Sequence, residues 1–211
     1  MFCLTSPTDP AWAREAAADL DAVLIDHAHC EMKAATNAMS LVMRHPSDLA
    51  LVRALTELAR EELDHFRRVL HFIDRRGLDL GAPPVDAYAA ELRTAMNRLP
   101  QANIPNLVDR LLVGALIEAR SCERFKLLLD VLPAGTPSEI RVLYDELFAC
   151  EARHYRTYVD LATQALRASW NEAGERDVES AIATRLGLLA DAEGQIVRGL
   201  AARDTRATVH G

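Results

Sequence analysis

The chain has 211 residues and a mass of 23.3 kDa, enough for one domain that buries a core without disulfides. No apolar run reaches the ~20 residues of a membrane-spanning helix, and no charged-then-apolar leader is expected. The formal net charge of −7 argues against a broad basic surface for nucleic acid. We therefore expect a cytoplasmic protein without a membrane partner, with residues 1–211 forming a single domain.

Composition indicates an all-α fold. Half of the residues are hydrophobic, Ala and Leu dominate, and the strand-type alternation of Val, Ile and Thr is missing. The four cysteines form no Cys-x-x-Cys pair, which excludes a zinc ribbon or a rubredoxin-type iron site. They are expected to be reduced residues that fill the core; they are Cys3, Cys30, Cys122 and Cys150.

The first part of the chain predicts a short helix followed by two long ones. Asp9-Pro10 is typical of an N-cap and a first helical turn. The first long helix is predicted over about 19–44, because a residue before proline, as in His45-Pro46, avoids the α region. The second is predicted over 48–76, since Gly77 suits the left-handed position after a helix end.

The second part repeats this pair of long helices after a crossover of roughly 30 residues that itself holds a short helix, at about 86–98. The third long helix is predicted over about 106–132. The fourth is predicted over 137–170, opened by the capping box Thr136-Pro-Ser-Glu139. An extra helix is predicted over about 176–200, with a frayed tail after it. The pattern predicts two helical hairpins that form a four-helix bundle.

Two copies of a Glu-x-x-His motif lie in the second and fourth long helices. They are Glu62-x-x-His65 and Glu151-x-x-His154, and corresponding residues are 89 positions apart. Residues three apart share one face of a helix, so each motif can present both side chains to the core. One such motif is common by chance, whereas the doubled arrangement is typical of a dinuclear metal site in a helical bundle.

Each preceding helix carries a glutamate on its apolar stripe. Glu31 shares its stripe with Leu24 and Leu41, and Glu118 shares its stripe with Leu111. An unpaired buried carboxylate costs several kcal/mol, and two divalent cations would offset that cost for four of them. Carboxylates with some imidazole suit iron or manganese. The predicted metal ligands, beyond which no catalytic residue is predicted, are Glu31, Glu62, His65, Glu118, Glu151 and His154.

Residues beside these six have less certain roles. Glu61 either orients His154 or is a solvated helix residue, with the second interpretation slightly preferred. His27 is expected to be a hydrogen-bonded core histidine, and core packing is the safer interpretation for Cys122 and Tyr158.

Other charged residues on these helices are expected to lie on the surface or to contact phosphates. Glu123 falls off the apolar stripe and is expected to be solvated. Four arginines near the end of the second long helix complement its dipole, or else meet phosphates; they are Arg67, Arg68, Arg75 and Arg76. Other candidates for phosphate contact are Lys33, Arg44, Arg53, Arg120, Arg124 and Lys126.

Four segments of the chain resemble one family, the bacterial tRNA hydroxylases that modify 2-methylthio-N6-isopentenyladenosine beside the anticodon. The resemblance extends from Leu4 to about Leu200, and its most specific piece is Ala-Leu-Ile-Glu-Ala-Arg-Ser-Cys-Glu-Arg-Phe, ending at Phe125. The Glu-x-x-His pairing is shared more widely with ferritin-like di-iron proteins. The segments are 26–35, 60–66, 116–125 and 150–155.

The resemblance implies a ferritin-like four-helix bundle with a long crossover and extra short helices. It implies an oxygen-dependent di-iron monooxygenase that hydroxylates the isopentenyl side chain in tRNA. The implied cofactors are two iron ions, held by the same six residues, with molecular oxygen as co-substrate and an external electron donor. The implied partners are the tRNA anticodon stem-loop and a reductase, and the chain would be a monomer or a small oligomer.

A ferritin-like ferroxidase or iron-handling protein is the main alternative, and it would be recognised by a large cage assembly. A rubrerythrin-like peroxidase is disfavoured because the Cys-x-x-Cys pairs are missing. A radical-generating reductase subunit would need a tyrosine beside the metals, for which Tyr158 is the only good candidate. A helical adaptor would leave four buried glutamates unexplained.

Overall fold

The computed structural model describes residues 2–100, 103–170 and 177–201. Over these ranges it contains seven helices and no strand, so the predicted all-α class is confirmed. The start of the predicted extra helix at residue 176 and the predicted frayed tail lie outside the described residues. The helices are α1 (Pro10–Ala18), α2 (Leu20–Arg44), α3 (Leu49–Arg75), α4 (Ala87–Arg98), α5 (Asn106–Val131), α6 (Ser138–Trp170) and α7 (Val178–Ala201).

Local capping explains where most of these helices begin and end. The first four helices each follow an aspartate whose carboxylate accepts a backbone N–H two or three residues further on. These N-caps are Asp9, Asp19, Asp48 and Asp86. Gly77 follows the end of α3 with a φ of 65°, the left-handed conformation predicted for it. Short polar side chains and one glycine therefore set the lengths of the bundle helices.

Four long helices form the bundle as two hairpins. α2 packs along α3, α5 packs along α6, and α3 also contacts α6. α4 lies in the crossover between the hairpins, and α7 packs against α4, α5 and α6. The Cα atoms of α2 and α5, both fully described, stay more than 8 Å apart, so these two helices meet through side chains such as His27 and Phe125, whose ring centroids lie 5.0 Å apart. None of the described helices is long and apolar enough to cross a membrane.

The core is divided into two apolar clusters. One contains Leu55 and Leu111, and the other contains Leu24, Phe125 and Leu147. In each of α2, α3, α5 and α6 the predicted metal ligands lie between the stretches that supply these two clusters. The bundle therefore surrounds the predicted site with apolar side chains above and below it.

An ion-pair network on α5 corrects one expectation from the sequence. Glu123 is 9% exposed rather than solvated, and it accepts hydrogen bonds from Arg120 and from Thr8, whose hydroxyl lies 2.7 Å away. Arg120 also donates two hydrogen bonds of 2.8 Å to Glu193 of α7, which accepts a third from Tyr88. The prediction failed because the N-terminal segment and α7 cover the face of α5 that a bare four-helix bundle would expose.

Candidate metal centre

The structure brings the six predicted ligands into one site, called the six-residue cluster below. All six are at most 5% exposed. Their donor atoms form two overlapping groups, and the atoms within each group lie within 4.8 Å of one another. Glu62 and Glu151 belong to both groups. Glu31 and His65 complete the first group, and Glu118 and His154 complete the second.

His154 is held from two sides. Its Nδ1 lies 2.8 Å from Glu62 Oε1 and 3.2 Å from Glu151 Oε2, so this nitrogen faces the cluster. Its Nε2 lies 2.8 Å from Glu61 Oε2 on the outer side. The interpretation of Glu61 as a simply solvated residue is therefore wrong, and the orienting role that was its alternative matches this contact. Sequence spacing could not rank the two, because the contact depends on α3 facing α6.

His65 occupies the matching position in the other group. Its Nδ1 lies 3.5 Å from carboxylate oxygens of Glu31, Glu62 and Glu151. Both imidazoles therefore direct Nδ1 towards the shared carboxylates. This arrangement leaves Nε2 of each ring to neighbours outside the cluster, as is usual for histidines that bind metals.

Burial and crowding of like charges set the electrostatics of the site. Burial, followed by the charge of Glu31, raises the pKa of Glu62, and burial with the charge of Glu151 raises that of Glu118 well above its usual range. Burial alone would lower the pKa of His65 and His154, yet the surrounding carboxylates and the Cys150 thiol raise both. Four carboxylates in one buried site need protons or cations to neutralise them.

The donor set fits two divalent cations. Each group offers three carboxylates and one imidazole, and the two groups share two carboxylates that can bridge both ions. Glu62 Oε1 and His65 Nδ1 are buried, and although imidazole or carboxylate atoms lie near them, neither makes a well-directed hydrogen bond, which is costly unless something binds them. Oxygen donors with a single imidazole suit iron or manganese, and neither group contains a thiol.

Cys150 is a neighbour of the site that sequence reasoning missed. It was treated as a core-filling residue, but its Sγ lies 3.3 Å from Glu61 Oε2 and 3.5 Å from His154 Nε2. Cys150 lies one helical turn before His154, which is the signal that could have identified it. Arg153 donates to the same sulfur at 3.0 Å. Cys150 therefore belongs to the hydrogen-bonded shell on the outer side of the cluster.

Two other neighbours match their expectations. His27 is buried, and its Nε2 lies 2.6 Å from Glu31 Oε1, as expected for a hydrogen-bonded core histidine. Burial lowers the pKa of His27 to about 4, so the neutral ring donates to Glu31. Cys122 is buried beside the cluster, where its thiol donates to the Phe148 carbonyl at 3.5 Å.

A groove of about 730 Å³ lies between α2, α4 and α5 and reaches the six-residue cluster at Glu118. Apolar residues such as Met96 and Val113 line part of it. Tyr158 is 1% exposed and forms part of the lining, with its hydroxyl hydrogen-bonded to Asn37. Burial and the charge of Glu118 raise the pKa of Tyr158 well above its usual range. This groove is thus a route from the surface to the site.

The arginines proposed from the sequence as a tRNA rim are each paired with a carboxylate. Their partners lie on α2, α3 and α6. Arg120 and Arg124 are buried, so they are wrong as candidates for contact with phosphate. The four pairs are Arg67 with Asp64, Arg68 with Glu146, Arg75 with Glu139 and Arg76 with Asp21.

Comparisons with known proteins identify the family. The family model described as tRNA-(MS[2]IO[6]A)-hydroxylase (MiaE) matches residues 1–203. The chain belongs to this family. The resemblance drawn from the sequence is thereby confirmed.

Two curated relatives carry the name tRNA 2-(methylsulfanyl)-N(6)-isopentenyladenosine(37) hydroxylase. The one from Pseudomonas putida is 45% identical over 160 residues, which cover 75% of this chain and 74% of the relative. The one from Salmonella typhimurium is 28% identical over 211 aligned residues, which cover 76% of this chain and 75% of the relative.

A solved structure supports the fold assignment. It is described as protein 43 with aldehyde deformylating oxygenase activity from Synechococcus, and it matches with a TM-score of 0.81 at 36% sequence identity. The match covers 100% of this chain and 96% of that one. The predicted ferritin-like bundle is confirmed.

Proposed function

We propose that this protein is a di-iron monooxygenase that hydroxylates the isopentenyl side chain of 2-methylthio-N6-isopentenyladenosine in tRNA. The observation that carries the proposal is the pair of overlapping donor groups that share Glu62 and Glu151, in a chain of this family. In this proposal Glu31 and His65 would hold one iron, Glu118 and His154 would hold the other, and Glu62 and Glu151 would be available to both.

The bound iron pair would supply the activation of molecular oxygen for attack on an unactivated C–H bond. One oxygen atom enters that bond and the other leaves as water, with two electrons and two protons supplied through an external reductase. The chain's own residues hold the site together. Glu61 fixes the ring of His154, and His27 donates to Glu31. The apolar clusters on either side keep water away from the reacting carbon.

The proposed substrate indicates where in the cell the enzyme works. Because tRNA is modified where translation takes place, the enzyme would work in the cytoplasm. It would be a monomer or a small oligomer whose residues 1–211 act as one domain. The Asp- and Glu-rich composition does not prevent RNA binding, provided that one face keeps unpaired cations.

The test uses Glu118→Ala and Glu151→Ala, with Glu146→Ala as an exposed control on α6. Either ligand variant should lose iron and hydroxylation while far-ultraviolet circular dichroism stays helical, because metal binding depends on these carboxylates more than helix packing does. The control should retain both. A ligand variant with wild-type iron content and normal turnover would overturn the assignment of these glutamates.

The substrate is tested by nucleoside analysis. Cells that lack the protein should accumulate the isopentenylated nucleoside, and the purified iron-loaded protein with oxygen and a reducing system should convert it in tRNA. Rapid oxidation of ferrous iron without any conversion of tRNA would favour the ferroxidase alternative instead.

A further inference from the structure

The groove between α2, α4 and α5 has two chemically different ends. Its inner end is Glu118, in the six-residue cluster, and its outer end is formed by Arg44, Arg93 and Arg110, which we call the groove mouth. Arg110 and Glu118 lie on the same helix, eight residues apart, so about 12 Å separates their levels along the axis. This length is comparable with a nucleotide extended from its phosphate to a side chain on the base.

The groove mouth is a cluster of cations contributed by three helices. Arg44 is at the end of α2, Arg93 is on α4 and Arg110 is in the first turns of α5. Within the described part of the chain, no ion pair or hydrogen bond is formed by any of the three guanidinium groups. Burial, followed by the charges of Arg44 and Arg93, lowers the pKa of Arg110. The mouth therefore favours an anion that neutralises it.

The contrast with the arginines of α3 is informative. Arg67, Arg68, Arg75 and Arg76 are as numerous, but each already has a carboxylate partner. Phosphate would have to displace those carboxylates, whereas the groove mouth has no such competitor among the described residues. The mouth is thus the better phosphate site even though the whole chain carries a net charge of −7.

The groove is lined by both polar and apolar side chains, and their positions along the helices place some polar ones near the mouth and some apolar ones beside Glu118. Asn97 and Asn106 lie near the mouth and can hydrogen-bond to a base edge. Val113 and Ile117 lie deeper, next to Glu118, and suit an apolar chain. Lys33 is also in the lining, where it pairs with Asp86 at 3.3 Å. The lining therefore offers polar partners for a base near the mouth and apolar contacts beside Glu118 for a hydrocarbon tail.

We infer that this groove receives the modified nucleotide splayed out of the anticodon loop, with its backbone phosphates bound by the groove mouth. The isopentenyl chain then lies along Val113 and Ile117 and reaches the Glu118 side of the cluster. RNA-binding proteins commonly read unstacked loop bases in this way. The inference rests on the proposed function and deepens it, because it assigns the face and the residues that meet the RNA. It replaces the paired arginines of α3 as the tRNA rim.

The test removes two charges from the mouth and two from the control surface. Arg44→Ala/Arg93→Ala changes two exposed residues, and Arg67→Ala/Arg75→Ala is the matched control on α3. The mouth variant should bind tRNA about tenfold more weakly at moderate salt. The slope of log affinity against log salt concentration should become shallower by about one to two, as expected for the loss of one to two phosphate contacts. The substitutions should raise KM for tRNA with little change in kcat. The tRNA affinity and the KM of the control variant should differ from those of wild type by less than about twofold.

A free isopentenylated nucleoside separates phosphate binding from general damage. It has no phosphate, so the mouth variant and wild type should convert it equally, with equal iron content and equal melting temperature. A parallel loss with nucleoside and tRNA would overturn the assigned role of the mouth. So would wild-type tRNA affinity in the mouth variant while the wild-type enzyme remains active. If wild type itself neither binds nor converts tRNA, the proposed function fails, and the inference fails with it.

Discussion

At the scale of single residues, the two imidazoles of the cluster are held by different neighbours. His154 has a carboxylate on its outer nitrogen, since Glu61 Oε2 lies 2.8 Å from Nε2. His65 has no such carboxylate at Nε2 among the described residues, and the Cys150 thiol, which also lies near His154, helps to raise its pKa against the effect of burial. A carboxylate fixes the ring and increases the basicity of the opposite nitrogen more than a thiol does. The two donor groups therefore have unequal surroundings.

The Glu61 contact leads to a first prediction. Glu61→Ala should weaken iron binding by about 10–100-fold, because His154 loses the partner that orients it. Glu61→Gln should have a smaller effect, since its amide can still hydrogen-bond to Nε2. Competition with a chelator measures the affinity. Glu57→Ala, one turn earlier on α3 and paired with exposed Arg60, is the control and should leave it unchanged. Unaltered iron affinity in Glu61→Ala would contradict the orienting role.

Helical periodicity explains how far residue-level prediction could go. Glu31 and Glu118 were identified because each is a lone carboxylate on an apolar stripe, and a stripe can be read within one helix. The roles of Glu61 and Cys150 depend on which helices face each other, which the pattern of a single helix does not contain. Glu123 was predicted wrongly for the same reason, because the segments that cover it are distant in sequence.

At the scale of helices, α5 and α6 approach each other closely at Gly114. A Cβ atom there would lie 2.9 Å from Cε1 of Tyr158, a ring that is 1% exposed. Gly114→Ala should therefore force the helices or the ring to move, at a cost of about 1–3 kcal/mol. That cost should exceed the gain in helix propensity of about 1 kcal/mol. We expect a lower free energy of unfolding, measured with urea.

Gly187 provides the opposite case in α7. Nothing lies within 4 Å of a Cβ added at Gly187, so Gly187→Ala should raise the free energy of unfolding by about 0.5–1 kcal/mol. The effect of a glycine-to-alanine substitution on the free energy of unfolding should therefore have opposite signs in α5 and α7. Stabilisation by Gly114→Ala would show that the Tyr158 contact is easily relieved.

The network on α7 gives a third prediction. Glu193 is 0% exposed and accepts hydrogen bonds from Arg120 and Tyr88. Glu193→Ala leaves a buried guanidinium with one partner fewer, and it should lower the free energy of unfolding by about 3–5 kcal/mol. Glu179 is also on α7, and Glu179→Ala breaks an exposed pair with Arg167 of α6. This change should cost at most about 1 kcal/mol of unfolding free energy. Equal effects of the two variants would contradict a structural role for the network.

Helix boundaries were predictable because their signals are local. Aspartate N-caps and Gly77 act within one turn, and α2 and α3, which have these signals, begin and end within one residue of the predicted positions. The groove was not predictable, since it depends on the spacing between α2 and α5 beside α4. No local signal in either helix reports the distance between them.

At the scale of the whole molecule, the negative charge is distributed unevenly. Four of the acidic side chains lie in the six-residue cluster, and others pair with the arginines of α3. The groove mouth keeps its positive charge. An acidic protein can therefore present one cationic entrance that leads to an anionic, metal-binding interior.

This arrangement connects folding to metal binding. The cluster gathers carboxylates from all four bundle helices, so their mutual repulsion opposes packing until cations neutralise it. Ferrous iron added without oxygen should raise the melting temperature, because it binds the folded chain and not the unfolded one. The gain should approach about 2.7 kcal/mol when free iron exceeds its dissociation constant 100-fold. Differential scanning calorimetry with and without iron measures it.

Glu151→Ala is the decisive variant for this last prediction, since Glu151 belongs to both donor groups. It should lose most of the iron-dependent rise in melting temperature, and its metal-free form should unfold close to the metal-free wild type, because one source of repulsion has been removed together with one buried side chain. Glu146→Ala, on the same helix and exposed, should show the full rise. An equal rise in Glu151→Ala and Glu146→Ala would mean that iron stabilises the chain from outside the six-residue cluster.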